Sequence, residues 1–441
     1  MKKLYLCNLG CSKNFVDGDT IAGFLLKNGF VMTNVTEEAD AIIVNTCSFI
    51  EQATQEAINT ILEHAPRKSG DCKLIVSGCF SERYGEKVAK DFPEVDLWLT
   101  TRNWQEELTK YYGFAEMTKS FERILSEPKH TQYIKISDGC SHHCSFCIIP
   151  KIKGNFKSIP AEKILEEAIW LEKQGVRELI VVSQDTSFYG RDIGTNLTNL
   201  LKSLLDKTNF RWIRLMYLYP SFVDDEFLDF VAKNSRVLPY FDIPFQHISD
   251  DILKSMKRKG KASDLYGLVE RIRRKVPDAV VRTAFILGYP NEKVKDFREL
   301  CDFVQWAKFD KMGVFPYSAE EGTAAALLPN RPTNRTVQKR IAELMEIQKE
   351  ISREKQEARV GQTIEVIVDR VSDFEEYNFE CRSTADAPEV DGRVFLLDGD
   401  ADIGDFLEVE IVDCDDYDLI AKFSRQLPAS TANVSPTAAS H

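Results

Sequence analysis

The sequence contains no uninterrupted apolar run of the ~18 residues that a membrane-crossing helix needs. Its start, MKKLYLCNLGC, lacks the basic, apolar and small-residue succession of a secretory signal. Membrane-spanning and secreted readings are therefore set aside, and a cytoplasmic protein is expected. A basic excess is missing too. The chain has 57 Lys+Arg against 69 Asp+Glu, a net charge of −12, which at first sight disfavours a nucleic-acid partner. Internal repeats are absent, which excludes stacked-repeat architectures.

The acidity is local. Residues 358–425 hold 19 acidic and 6 basic side chains, whereas the remainder of the chain carries 50 and 51. A length of 441 residues suggests two to four domains. In residues 1–113, the apolar segments KKLYLCNLG, DAIIVNT and KLIVSG alternate with helical patterns near residues 17–27, 52–63 and 82–90. Strand–helix alternation predicts a parallel α/β sheet. Residues 114–129 read as a linker. In residues 130–332 the alternation resumes with QYIKIS, ELIVVS, WIRLMY, YFDIPF, AVVRTAFIL and KMGVFPY. Six such units are too few for a closed eight-unit barrel and fit a partial (β/α)6 barrel. Residues 333–357 form a charged amphipathic connecting helix, with Val337, Ile341, Leu344 and Ile347 on its apolar face. Five short strands between Gly/Asp turns over 358–425 predict a small five-stranded OB-like β-barrel. The uncharged Ser/Thr/Ala/Pro-rich tail, 426–441, is expected to be disordered. The whole is an α/β multidomain protein.

Eleven cysteines in a chain expected in the cytoplasm point to metal or redox chemistry rather than disulfides. Cys140, Cys144 and Cys147, spaced x3 and x2 in SDGCSHHCSFCIIP, follow a predicted strand and so lie at the carboxyl end of the first barrel strand. Three thiolates hold three corners of a [4Fe–4S] cube. The next cysteine, Cys301, falls in a predicted helix, leaving one iron open. S-adenosylmethionine (SAM) is the usual occupant of such a position. A zinc site completed by His142 or His143 is the alternative, although these histidines read better as solvent-facing loop residues. Cys11, Cys47 and Cys79 are far apart in sequence but share a context, each just past a predicted strand and before a helix. A parallel sheet gathers such positions along one edge, where open α/β sheets bind ligands. They form either a second three-ligand site or three unrelated buried thiols. Cys7, inside the first strand, is the one competitor to Cys11, while Cys72, Cys301, Cys381 and Cys414 read as structural.

LGCSKNFVDGD at residues 9–19, NTCSFI at 45–50, SGC at 77–79, GCSHHCSFCIIP at 139–150 and PFQHISDDILKSMKR at 244–258 together resemble the radical SAM methylthiotransferases, and the similarity extends over residues 3–425. The resemblance implies a C-terminal TRAM-like barrel and two [4Fe–4S] clusters: an auxiliary one on Cys11, Cys47 and Cys79, and a SAM-binding one on Cys140, Cys144 and Cys147. It also implies SAM as both radical source and methyl donor. Within the family, the LGC-x-KN start and the DCDDYDL near the end are most similar to the branch that modifies the β-carbon of an aspartate on the twelfth small-subunit ribosomal protein. The alternative is the branch that methylthiolates C2 of a tRNA adenosine, whose C-terminal barrel should be neutral or basic. The acidic barrel here favours a basic protein over RNA, and an external electron donor and sulfur source are implied. Phe146, Gln184, Asp185 and Gly288 are candidates to face SAM. Gln184 and Asp185 have loop hydrogen bonding as an equal reading. Gln246, His247 and Arg214 are weighed between site and structural roles. Asn291 departs from the family's usual glycine in a segment expected near the adenosine.

Overall fold

The computed structural model describes residues 1–114 and 123–428. Half of the expected 114–129 linker (115–122) and most of the expected tail (429–441) lie outside the described residues. The N-terminal region runs β1 (Lys2–Asn8), α1 (Ser12–Lys27), β2 (Phe30–Met32), β3 (Ala41–Thr46), α2 (Glu51–His64), β4 (Lys73–Gly78), α3 (Cys79–Val88), β5 (Leu97–Trp98) and α4 (Trp104–Tyr112). The strands form one parallel sheet in the order β2-β1-β3-β4-β5. β3 is buried at all six residues, as a central strand covered on both faces must be. Side chains alternate across it. Ile43 and Ile75 pack with Ile21, Leu25 and Leu108 on one face, and Ile42, Val44 and Val76 with Ile61 and Phe80 on the other. The order reverses between β1 and β3, which opens a crevice at their carboxyl ends. α1 begins five residues earlier than the sequence pattern predicts, and α3 three earlier. Neither start has a side-chain cap, so the usual signal for a helix beginning is missing.

The second region contains β6 (Thr131–Lys135), β7 (Ser137–Asp138), α5 (Ile149–Lys153), β8 (Lys157–Ser158), α6 (Ala161–Lys173), β9 (Glu178–Val182), α7 (Leu197–Lys207), β10 (Trp212–Leu215), α8 (Asp225–Lys233), β11 (Tyr240–Asp242), α9 (Asp250–Ser255), α10 (Ala262–Lys275), β12 (Val280–Leu287), α11 (Val294–Ala307) and β13 (Lys311–Pro316). The six long strands pair in parallel as two arcs, β6-β9-β10 and β11-β12-β13. The arcs meet around Ile213, whose N–H donates to the Arg236 carbonyl and whose carbonyl accepts from Leu238, and at Leu218, whose N–H donates to the Asp242 carbonyl. Pro239 and Pro244 flank β11 and remove ladder donors there, which accounts for the thin seam in the expected six-strand sheet. Leu179 and Val181 face the outer helices, while Ile180 and Val182 line the concave face.

α12 (Asn334–Glu357) is capped by Thr333 and buries Val337, Leu344 and Ile351 against the second region. β14 (Thr363–Val371), β15 (Phe379–Ser383), β16 (Val394–Leu396), β17 (Phe406–Cys414) and β18 (Leu419–Gln426) close into a barrel in the order β14-β15-β16-β18-β17. The chain stays attached slightly beyond the expected boundary. Gln426 ends β18, and Leu427 donates its N–H to Phe406. The loop between β15 and β16 enters the concave face of the central sheet. Ala385 and Ala387 pack with Ile180, Trp212 and Tyr240, and Asp386 pairs with Lys311. No helix among the described residues is long and apolar enough to cross a membrane.

Candidate functional site

Cys11, Cys47 and Cys79 come together at the carboxyl edge of the N-terminal sheet. Cys11 occupies the N-cap position of α1 with its thiol free of capping duty, Cys47 follows β3, and Cys79 opens α3. Two glycines make the approach possible. Gly10 has φ +91°, and a Cβ there would stand 2.5 Å from the Cys47 Cβ. Gly78 has φ +86°, and a Cβ would stand 2.3 Å from the Thr46 carbonyl oxygen. Three asparagines hold the loops. Asn45 donates to Asn8 Oδ1 and to the Asn14 carbonyl, and Asn14 donates back to the carbonyls of Leu9 and Thr46. A hydrogen bond shared by Cys47 and Cys79 lowers the pKa of the first and raises that of the second. Cys7 lies elsewhere, and burial together with Glu63 and Glu56 pushes its thiol up.

Because of Gly10, a prediction arises here. Gly10→Ala is expected to displace Cys47 and roughly halve the bound iron, measured by iron assay after reconstitution. An iron content equal to the wild type would contradict the close packing.

The second triplet lies on the loop enclosed by the β7–β8 ladder. The Cys140 N–H donates to the Gly154 carbonyl, Ser145 N–H to Met256, and Ala325 N–H to Ser145. Burial raises Cys140 to about 11 and Cys147 to about 12, so these thiols keep their protons until a metal displaces them. His142, expected to face solvent, is instead tied to the barrel. Its Nε2 lies 2.6 Å from Asp185 Oδ2, and its ring stacks on Tyr219 at 4.0 Å. Apolar and aromatic neighbours made the inward position available, which a run of two histidines does not reveal.

The two triplets are neighbours. Cys79 packs on Ile148 and Ile152, immediately beyond Cys147. Lys135 and Lys153 from the central region pair with Asp17 of α1, and Arg83 pairs with Glu320 at 2.9 Å. Both sets are rich in thiols and partly or wholly buried, a donor chemistry suited to iron–sulfur clusters. Among the described residues no three His, Cys, Asp or Glu side chains close on one point as a single ion requires.

Asp185 spends its carboxylate on His142, Ser187 and the Phe188 N–H. Gln184 makes no side-chain hydrogen bond to a described residue. Phe146 packs with Ile252, Met256 and Tyr289. Gly288 has φ +82°, and a Cβ there would meet Val337 of α12 at 2.5 Å, so helix packing already accounts for this glycine. Asn291 has φ +67°, a conformation asparagine tolerates, so its replacement of glycine keeps the backbone path. His247 is fully buried, accepts from the Ser249 N–H, and is lowered by burial to about 4, as a packed rim residue would be. Gln246 has φ +73°, and its backbone N–H donates to the Ala284 carbonyl. Arg214, also fully buried, bonds Glu178 and the Thr384 carbonyl and therefore anchors the C-terminal barrel. Lys13, Asn14 and Asn45 stand within the sequence motifs only as flanking residues, without a role assigned to them, and Tyr217 is not singled out. The polar end of the otherwise apolar strand AIIVNT was the available signal for Asn45.

Fold and site together define a radical SAM protein. The profile described as the Radical SAM superfamily matches residues 134–304, between one described as Uncharacterized protein family UPF0004 at 3–100 and one described as TRAM domain at 360–423. The superfamily carries with it a [4Fe–4S] cluster and SAM. More narrowly, the chain belongs to the family whose curated members are called ribosomal protein uS12 methylthiotransferase RimO. The Aquifex aeolicus member is 45% identical over 430 residues, covering 96% of this chain and 98% of that one. The Pelobacter propionicus member is 40% identical over 443 residues, with the same coverage. The chain is thus a radical SAM methylthiotransferase. In fold alone it is similar to the radical SAM methyltransferase TsrM from Kitasatospora setae, at TM-score 0.52 and 14% identity over 71% of this chain and 73% of that one.

Proposed function

We propose that this enzyme methylthiolates the β-carbon of an aspartate on ribosomal protein uS12. Cys140, Cys144 and Cys147 would hold a SAM-binding cluster, and Cys11, Cys47 and Cys79 an auxiliary one. The observation that carries the reading is the packing of Cys79 on Ile148, which sets one triplet beside the other. When bound, the groups supply a 5′-deoxyadenosyl radical able to abstract an unactivated hydrogen, together with the sulfur and a methyl group. The chain's own part is positional. Gly10 and Gly78 admit the three N-terminal thiols to one place, and the β7–β8 ladder frames the second triplet. The ion pairs of Asp17 and Glu320 keep the two halves facing each other. Phe146 and Gln184 remain the residues proposed to face SAM, Phe146 from within the cysteine loop and Gln184 with a free amide. Gly288 and Asp185 are the less favoured candidates, since Val337 and His142 already engage them. The sulfur that the auxiliary cluster would pass on, and the electrons, are proposed to come from external donors.

The C-terminal barrel is proposed to receive a basic protein rather than RNA. Asp373, Glu375 and Glu376 are exposed on the β14–β15 loop and Asp398, Asp400 and Asp402 on the β16–β17 loop. The Asn378 side chain, donating to Gly399, ties these loops together. The test offers the reconstituted enzyme both uS12 and a tRNA anticodon arm and follows each by mass spectrometry. Addition of a methylthio mass to uS12 alone is expected. Modification of the tRNA instead would overturn the choice of substrate.

A further inference from the structure

Lys13 is a buried cation with no salt bridge among the described residues; burial works against its charge, and Tyr217, then Cys11 and Asp242, favour it. It sits two residues beyond Cys11 near the start of α1, is 8% exposed, and holds Nζ 3.3 Å from the centre of the Tyr217 ring. The half-buried lysines at this junction differ: Lys135 and Lys153 both pair with Asp17. Asp242, a more distant neighbour, is already occupied by Arg282 at 2.8 Å and by the Tyr217 N–H at 2.9 Å. Tyr217 follows the carboxyl end of β10 in a strained backbone conformation, φ +62°, and its hydroxyl lies 3.5 Å from Ser12 Oγ. An aromatic face offsets part of the cost of burying an ammonium, but full compensation calls for an anion.

The geometry points to Lys13 and Tyr217 as the residues that hold the carboxylate of the target aspartate. The ammonium and the phenol each donate a hydrogen bond to it. This inference rests on the methylthiotransfer reading above. The β-carbon of an aspartate is bonded directly to its carboxyl carbon, so fixing the carboxylate also fixes the hydrogens to be removed, beside Cys11. A neutral adenine ring would offer this ammonium acceptor nitrogens but no compensating negative charge. Lys13 therefore selects an acidic side chain at the reacting position.

The experiment maps the modified aspartate of uS12 with the reconstituted wild-type enzyme, then prepares uS12 with asparagine there. Equilibrium affinity and methylthio formation are compared for the two substrates in the wild type, Lys13→Met and Lys13→Arg. The wild type is expected to bind the aspartate form roughly ten- to a hundredfold more tightly, the range of a charge-assisted hydrogen bond. In Lys13→Met that ratio should fall towards one, and Lys13→Arg should restore part of it. Both substrates meet the same enzyme preparation, so a loss of cluster lowers both rates without changing their ratio. A ratio unchanged in Lys13→Met, or a change confined to iron content or SAM affinity, would overturn the inference. Failure of the wild type to modify uS12 at all would overturn the underlying reading, and the inference with it.

Discussion

Reconstituted without oxygen, the Cys47→Ala protein is expected to hold about four irons per chain where the wild type holds about eight, the content of two cubes. It should still cleave SAM yet transfer no methylthio group. The asymmetry follows from the packing. Cys47 lies against Gly10 and shares a hydrogen bond with Cys79, so its loss opens the N-terminal set. The loop of Cys140, Cys144 and Cys147 is held by Gly154, Met256 and the β7–β8 ladder, none of which depends on Cys47. Cys144→Ala should do the converse, losing SAM cleavage while retaining about half the iron. A wild type that never exceeds about four irons would remove the second cluster from the proposal.

Arg382→Met is expected to destabilise the chain by about 3–5 kcal/mol, the usual result of removing one partner from a buried ionic network. Arg382 is 3% exposed and pairs with both Asp369 and Glu178. Glu178 also binds Arg214, and Asp369 also binds His130. Removing the guanidinium leaves two carboxylates short of charge at the junction of the central and C-terminal regions, and the denaturation midpoint should fall accordingly. The same network predicts an acid limit. Burial works against ionisation of Asp369, but Arg382 and His130 outweigh it and hold the group at about 2. An unfolded aspartate titrates near ~3.9. The folded state therefore gains stability from Asp369 at all pH values above about 4 and loses it as pH drops from about 4 to about 2. For Asp369 alone the loss is about 2 kcal/mol. A midpoint that stays level from pH 5 to pH 2 would contradict this, as would an Arg382→Met protein of wild-type stability.

Strands such as β3 and β4 were legible because a parallel strand covered on both faces needs an unbroken apolar run. The proximity of Cys140, Cys144 and Cys147 was legible because the three thiols lie on one loop. The N-terminal triplet could be read because each thiol follows a strand, and a parallel sheet places all strand ends on one edge. Lys13 could be read as part of the LGC-x-KN start, but its contact with Tyr217 could not: the two meet because the N-terminal region docks over the barrel rim, which no local pattern encodes. Charge counting misled in a related way. Of the acidic residues in 358–425, Glu365 binds Arg211, Asp386 binds Lys311, and Asp391 lies beside Arg282. Part of the acidity thus cements the barrel to its neighbour, and only the exposed remainder can support the proposed docking of a basic protein.

The β15–β16 loop has a practical corollary for anyone rebuilding this enzyme. A domain that merely leaned on the barrel would be a cartridge, exchangeable for one of different taste. Here Ala385, Asp386 and Ala387 are lodged in the hollow of the central sheet, and Asp391 bonds Tyr240 there. Grafting a foreign C-terminal barrel would therefore mean recutting the socket as well, at Arg214, Tyr240, Arg282 and Lys311. Substrate choice and catalytic scaffold are expected to change together or not at all.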